Sequence, residues 1–240
     1  MSETILITGV GKRLGFALAQ QLLADGYKVV GTYRSDYPQL QLLRDSGADL
    51  QQVDFYQQSS LEGFLHYVGQ EYKTLRAVIH NASDWKPENK KNPSENASQI
   101  MHQMMTIHAT VPYLFNLTLK DQLMSGDKTS DIIHISDYVA EKGSKKHIAY
   151  AASKAALNNL TLSFSAMLAP KVKVNTLSPA MIKFNEHDDD DEAYKTKALQ
   201  KALIPTEAGF EEIIDGIKFV LASHYMTGRT LHLDGGRHLK

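Results

Sequence analysis

The stretch "TILITGVGKRLG", Thr4 to Gly15, passes from a short apolar run of strand character through a glycine turn into sequence suited to a helix. In that context a glycine turn brings freed backbone N–H groups and a helix N-terminus up to a phosphate. Gly9 and Gly11 let the backbone approach a pyrophosphate, and Gly15 lets the helix pack close on the strand. An ordinary strand-to-helix turn reads the same way locally, so the surrounding chain has to decide.

Outward from this stretch, strand-length apolar runs alternate with helix-length amphipathic ones. A helix from about Leu14 to Asp25 leads to "KVVGTYR" (28–34) and a helix near Gln39 to Asp45. "DLQQVD" (49–54), a helix near Leu61 to Tyr72, "RAVIHNA" (76–82) and a long helix near Asn96 to Leu123 follow. Then come "DIIHISD" (131–137), a helix near Ala149 to Leu168, "KVNTLSPA" (173–180), a helix near Glu211 to Ala222 and "RTLHLDGG" (229–236). Strands separated by helices build a parallel sheet covered on both faces, which predicts a doubly wound, Rossmann-type α/β fold. No linker or shift of composition divides residues 1–240, so they form one domain.

Two segments break the rhythm, "SDWKPENKKNPSEN" and "AMIKFNEHDDDDEAYK". Both follow strand ends, where open α/β sheets bind ligands. The acidic run with His187 reads as a solvated loop, since nothing in it sets a ligand geometry, and no metal is expected.

Composition narrows the function classes. With 42% apolar and 22% charged residues, 240 residues bury a sizeable core without staples. There is no cysteine, hence no disulfide framework and no thiol nucleophile. A net charge of -1 predicts no nucleic-acid or membrane partner, and the N-terminus lacks a signal-peptide pattern, so a cytoplasmic location is expected.

A carboxylate at the end of the second strand usually grips the ribose hydroxyls of NAD. Here that strand ends in Arg34 and Ser35, and Asp36 comes later. With Lys12 and Arg13, three cationic side chains are expected to converge on a 2'-phosphate, so the cofactor is expected to be NADPH. Asp54, at the third strand's end, suits either an adenine contact or a helix cap. At the other end of the site, Tyr150 and Lys154 lie four apart on one helix face. An ammonium there is expected to lower the phenol's pKa and ready it for proton transfer.

Taken together, "TGVGKRLG", "HNAS" (80–83), the Tyr150-x-x-x-Lys154 pair, "SPA" (178–180) and "TGRTLHLDGG" resemble the short-chain dehydrogenase/reductase family along the whole chain. The family usually carries a Ser thirteen residues before the Tyr, and that count lands on Asp137, with Ser136 one short. One step on a strand turns a side chain to the opposite face, so register aims the carboxylate at the substrate. Hydride attack on a ketone builds negative charge that a carboxylate opposes, whereas a protonated C=N bond is a cation that it stabilises. Asp137 therefore favours imine reduction; as a mere strand-end residue bound to backbone amides it would carry no such meaning.

One branch of the family, the pteridine reductases, is similar in this Asp, in the "KRLG" turn, in the Arg-Ser pair and in an aromatic soon after Asn-Ala-Ser, here Trp85. The resemblance implies hydride transfer from NADPH to C6 of a 7,8-dihydropterin across its C6=N5 bond, with dihydrofolate as a weaker substrate. It implies catalytic roles for Asp137, Tyr150 and Lys154, and a pterin site formed by Ser83, Trp85, Asp137 and Tyr150. It adds Leu14, Phe55, Asn81, Ala82, Ser83, Pro179 and Ile182 to the cofactor's surroundings. His108 stands where most members carry an Asn that holds a water near the Lys, so it is a possible relay or a satisfied helix residue. Members are usually tetramers, so a homo-oligomer, tetramer or dimer, is expected, with Arg237 reaching a neighbour's site. Two alternatives stay open: a general carbonyl reductase, and a non-catalytic NADPH-binding regulator.

Overall fold

A computed structural model describes residues 3–88, 91–92, 94–185 and 192–240. Seven strands form one all-parallel sheet: β1 (Thr4–Ile7), β2 (Lys28–Tyr33), β3 (Asp49–Gln52), β4 (Ala77–His80), β5 (Ser130–Ile135), β6 (Val172–Pro179) and β7 (Thr230–Leu233). Their order is β3-β2-β1-β4-β5-β6-β7, the doubly wound topology expected from the alternation. The chain leaves β1 toward β2 on one side and later places β4 on the other. The carboxyl ends of β1 and β4 therefore open a crevice, and the two ligand-rich turns, Gly9–Gly15 and Asn81–Trp85, rise from its walls.

Side-chain alternation splits the core into two layers. Ile5, Ile7, Ile133 and Ile135 pack under α1 (Arg13–Ala24), α2 (Leu40–Asp45) and α10 (Gly209–Ala222). Leu6, Val78, Ile132 and Val174 face α3 (Gln58–Glu71), α5 (Val111–Thr118) and α8 (Ile148–Leu168). Because both faces are covered, the central strands read as continuous apolar runs, and each fully buried Leu or Ile contributes roughly 1.5–3 kcal/mol.

The long helix expected over Asn96–Leu123 is instead four pieces. They are α4 (Ala97–Met105), a π-helical turn (Thr106–Thr110), α5 and α6 (Lys120–Met124). Pro112 is the physical cause at the join: it lacks an N–H and its ring crowds the carbonyl four residues back, that of His108, so the turn widens. Two short helices, α7 (Val139–Lys142) and α9 (Glu192–Leu199), were not signalled by periodicity. The acidic run from His187 to Asp191 lies outside the described residues.

Candidate active site

The phosphate turn is built by close backbone approach. Gly9 has φ +78°, and a Cβ there would stand 2.9 Å from Ala82 Cα; a Cβ on Gly15 would fall on the Gly9 carbonyl oxygen. Thr8 Oγ1 accepts from the N–H groups of Asn81 and Ala82, each at 3.0 Å. Asn81 Nδ2 donates back to the Thr8 and Gly9 carbonyls at 3.0 and 2.9 Å, so this amide braces the turn. The N-cap residue of α1, Lys12, makes no side-chain cap, which leaves the first N–H groups of the helix for an anion.

Arg13 is held in the left-handed region at φ 54°, a conformation costing roughly 1–2 kcal/mol in a non-glycine residue. Its guanidinium spans to the loop after β6, donating to the Lys183 carbonyl and, at 3.1 Å, to that of Phe184. It thus ties the two walls of the crevice together.

A cavity of about 630 Å³ runs from Lys12, Arg34 and Ser35 past the glycine turn to Asp137, Tyr150 and Lys154. Leu14, Phe55, Ala82, Ser83, Pro179 and Ile182 also line it, as does Trp85. The three cations Lys12, Arg13 and Arg34 all line this cavity, and each has a partner within the protein. Arg13 is engaged on the far loop, and Arg34 forms a bidentate pair with Asp84 at 2.8 and 3.4 Å. Tyr56 Oη also donates to Asp84, at 2.8 Å, and Lys12 Nζ sits 5.6 Å from the Tyr37 ring centroid. Asp54 makes a local turn, accepting from Tyr56 N at 3.0 Å and Gln57 Nε2 at 3.3 Å, and does not cap α3, whose N-cap residue is Gln57. Asp36, the nearest acid to the end of β2, pairs with Arg44 at 3.4 Å and does not line the cavity. Uncapped helix N–H groups, small residues in the turn and a β2 end without a free carboxylate fit a dinucleotide that carries a 2'-phosphate.

At the chemical end, Tyr150 Oη lies 3.0 Å from Asp137 Oδ2. Ser136 is turned away, with its buried hydroxyl 3.5 Å from the Lys154 carbonyl. Lys154 is 3% exposed, and its Nζ donates to the Ile135 carbonyl at 2.8 Å. Burial lowers the Lys154 pKa to about 8, with Asp137 opposing the fall. Burial raises the Asp137 pKa. The expectation that Lys154 lowers the phenol's pKa is reversed: burial, then the charge of Asp137, push Tyr150 well above its ordinary value. The physical reason is direction, since the ammonium points at a backbone carbonyl while the carboxyl group faces the phenol.

His108 does not line the cavity; its Nε2 meets Ser83 Oγ at 2.7 Å and its Nδ1 meets Ser153 Oγ at 2.8 Å. Trp85 stacks on His147 with centroids 4.2 Å apart and remains 60% exposed at the cavity wall. Glu88 holds this loop to the head of α8, accepting from Ile148 N and Ala149 N at 2.9 and 2.8 Å. Arg237, expected to serve a neighbour, lies over its own chain's Tyr138 ring at 4.9 Å, where its charge acts on Asp137.

Sequence reading missed Asp84, Tyr56, His147 and Ser153. Asp84 had a usable signal, since it directly follows the Asn-Ala-Ser triplet; the other three are picked out only by contact.

The family model described as enoyl-(acyl carrier protein) reductase matches residues 9–238. The dihydromonapterin reductase of Klebsiella pneumoniae is 48% identical over 237 residues, 98% of this chain and 97% of that protein. That of Escherichia coli K12 is 46% identical over 237 residues, with the same coverage of 98% and 97%. Among solved structures, 4-hydroxyisoleucine dehydrogenase complexed with NADH superposes with a TM-score of 0.90 at 17% identity, covering 100% of both chains. FolM alternative dihydrofolate reductase 1 from Brucella suis, in complex with NADP, superposes with a TM-score of 0.83 at 20% identity, covering 99% of this chain and 96% of that one. Sheet order, glycine turn, the Tyr150–Lys154 pair and a match spanning nearly every residue converge, and the chain belongs to the short-chain dehydrogenase/reductase family.

Proposed function

We propose that the chain is an NADPH-dependent reductase that converts 7,8-dihydromonapterin, and dihydrofolate more weakly, to the tetrahydro form at the C6=N5 bond. The full-length similarity to two dihydromonapterin reductases supports this. The observation that carries it is the carboxyl group of Asp137 beside Tyr150 Oη, at the point where a ketone reductase needs a neutral donor. A carboxylate opposes a developing alkoxide and stabilises a protonated imine.

Bound NADPH supplies the hydride. Lys154 and Tyr150 hold its ribose and the Gly9–Gly15 turn its phosphates. The Tyr150 hydroxyl donates to Asp137 Oδ2, so the pair keeps a proton beside a carboxylate, and N5 is protonated from this pair. Trp85 and Ser83 line the pterin's side of the cavity; a flat heterocycle suits stacking on the indole.

The test is NADPH oxidation followed with dihydromonapterin, dihydrobiopterin, dihydrofolate and a panel of simple ketones. Rapid turnover of dihydropterins beside near-silent ketones is expected. Ketones reduced as well as dihydropterins would overturn the reading and favour a carbonyl reductase. We also infer a homo-oligomer, a tetramer, from the exposed apolar side chains Met101, Tyr113, Leu162 and Met167 on α4, α5 and α8; light scattering after gel filtration measures it. A cytoplasmic location accords with a cysteine-free, NADPH-using chain.

A further inference from the structure

His108, a buried ring, sits in a chain of hydrogen bonds that runs from the exposed Ser83 into α8. The chain runs Ser83 Oγ, His108 Nε2, His108 Nδ1, Ser153 Oγ and the Tyr150 carbonyl, with separations of 2.7, 2.8 and 2.7 Å between the groups. A carbonyl only accepts, so the hydroxyl hydrogen of Ser153 is committed to Tyr150 O. Ser153 must then accept from His108, which places the ring's proton on Nδ1 and leaves Nε2 as a bare acceptor. The ring is 1% exposed, and burial with the charge of Lys154 keeps it neutral, so it has no second N–H.

Ser83 is left to fill Nε2 with its own hydrogen. Its alternative acceptors are the Asp84 carbonyl, at 3.5 Å the limit of a hydrogen bond, and the Tyr150 hydroxyl, which also meets Ser83; either choice would leave the bare Nε2 facing oxygen lone pairs at 2.7 Å. Ser83 Oγ therefore faces the cavity, which it lines, with lone pairs alone. The chain also ends at a peptide carbonyl, which cannot pass a proton on, so it is not a wire to solvent.

We propose that His108 is a positioning residue that locks Ser83 as a hydrogen-bond acceptor, so that the site selects substrates offering an N–H at this point and disfavours those offering a carbonyl oxygen. This rests on the dihydropterin reading, because a dihydropterin presents ring N–H and amino groups. It also gives a physical sense to His108 in place of an Asn: an amide carries donor and acceptor on one carbon and can turn over, whereas a ring gripped at both nitrogens cannot.

The test has two parts on the full-length enzyme. In ¹⁵N-histidine-labelled protein, with His108 assigned by its loss in His108→Asn, the ring is expected as the neutral Nδ1–H tautomer from pH 6 to 8. An Nε2–H tautomer or a charged ring would overturn the proposal. In kinetics, Ser83→Ala and His108→Asn are each expected to raise KM for dihydromonapterin roughly 3- to 10-fold with little change in kcat, the size of one lost hydrogen bond. The double variant should be no worse than Ser83→Ala; effects that multiply would overturn the proposal. Should His108→Asn misfold, His108→Gln serves for the assignment and the kinetics, with the same rise in KM expected; an unchanged KM would count against the lock. If the unaltered enzyme turned over no dihydropterin, the functional reading would fall while the tautomer still decided this one.

Discussion

Replacing Asp84 by Asn should tighten NADPH binding. Asp84 holds the Arg34 guanidinium in a bidentate pair, and a 2'-phosphate bound by Arg34 would compete for that fork. The side chains are 54% and 28% exposed, so the pair is solvent-screened and worth about 0.2–1 kcal/mol. Removing the charge releases at most that amount, which is an improvement of up to about fivefold in Kd. Asparagine keeps an oxygen for the Tyr56 hydroxyl that now donates to Asp84 at 2.8 Å, so the loop bearing Ser83 and Trp85 should hold its place. The assay is fluorescence titration of wild type and Asp84→Asn with NADPH and with NADH, at 50 and 500 mM salt. NADPH should bind two- to fivefold more tightly, NADH should be unmoved, and the gain should shrink at high salt. Weaker NADPH binding, or an equal gain for NADH, would refute the idea that Asp84 and the 2'-phosphate contend for Arg34.

Other perturbations separate the remaining roles. Asp137→Asn keeps the side chain's shape and removes its charge and its ability to carry a proton, so kcat with dihydromonapterin should fall roughly 10²- to 10⁴-fold, and a drop of only a few fold would deny Asp137 a part in proton transfer. Since burial brings the Lys154 pKa to about 8, the ammonium is lost above that pH, and NADPH Kd should rise between pH 8 and 9.5 in wild type but not in Lys154→Arg. Gly15→Ala drives a Cβ onto the Gly9 carbonyl; it should cost about 1–3 kcal/mol in thermal or urea unfolding and weaken NADPH binding at least in parallel. Burial lowers the His80 pKa from 6.5 to about 4, so the unfolded chain binds the proton first as pH falls. Stability from this group is complete above pH 6.5 and should be about 2 kcal/mol smaller at pH 5, measured as the urea midpoint and slope; a stability flat over that range would contradict a neutral buried ring.

Much of the fold was open to inspection because parallel strands buried on both faces leave unbroken apolar runs, as in "TILI" and "AVIH", and seven such runs punctuated by helices admit few topologies. Glycine positions were legible for a similar reason: Gly9 and Gly15 stand where any Cβ would strike backbone, a constraint local to the turn. Asp137 was legible through counting, since strand periodicity turns a one-residue offset from Tyr150 into a choice of face. What stayed hidden depends on partners far along the chain. His108 is set by Ser83 and Ser153, 25 and 45 residues away, and Asp84 by Arg34, 50 residues away. Helix α9 was hidden for a different reason: "EAYKTKAL" buries only Ala198 and shows no apolar stripe.

The electrostatics of the site show why residue type alone misleads. Tyr150 and Lys154 share a helix face, yet the ammonium is drawn to the Ile135 carbonyl and the phenol to Asp137, so after burial the charge that acts most on the phenol is thirteen residues upstream, just past the end of β5. The same holds for the cofactor end, where Lys12, Arg13 and Arg34 have the right charges and three different partners. Two acids near this end of the cavity, Asp36 and Asp54, are held by partners of their own. Arg44 draws Asp36 out of the cavity lining, and Asp54 turns to the backbone of Tyr56. A phosphate entering there meets one guanidinium already organised as a fork by Asp84, and it has to displace a carboxylate of the loop that carries Trp85 to use it. Arg34 at the end of β2 and the loop that carries Trp85 are joined through this ion pair, which is why Asp84 is the most informative residue to change first.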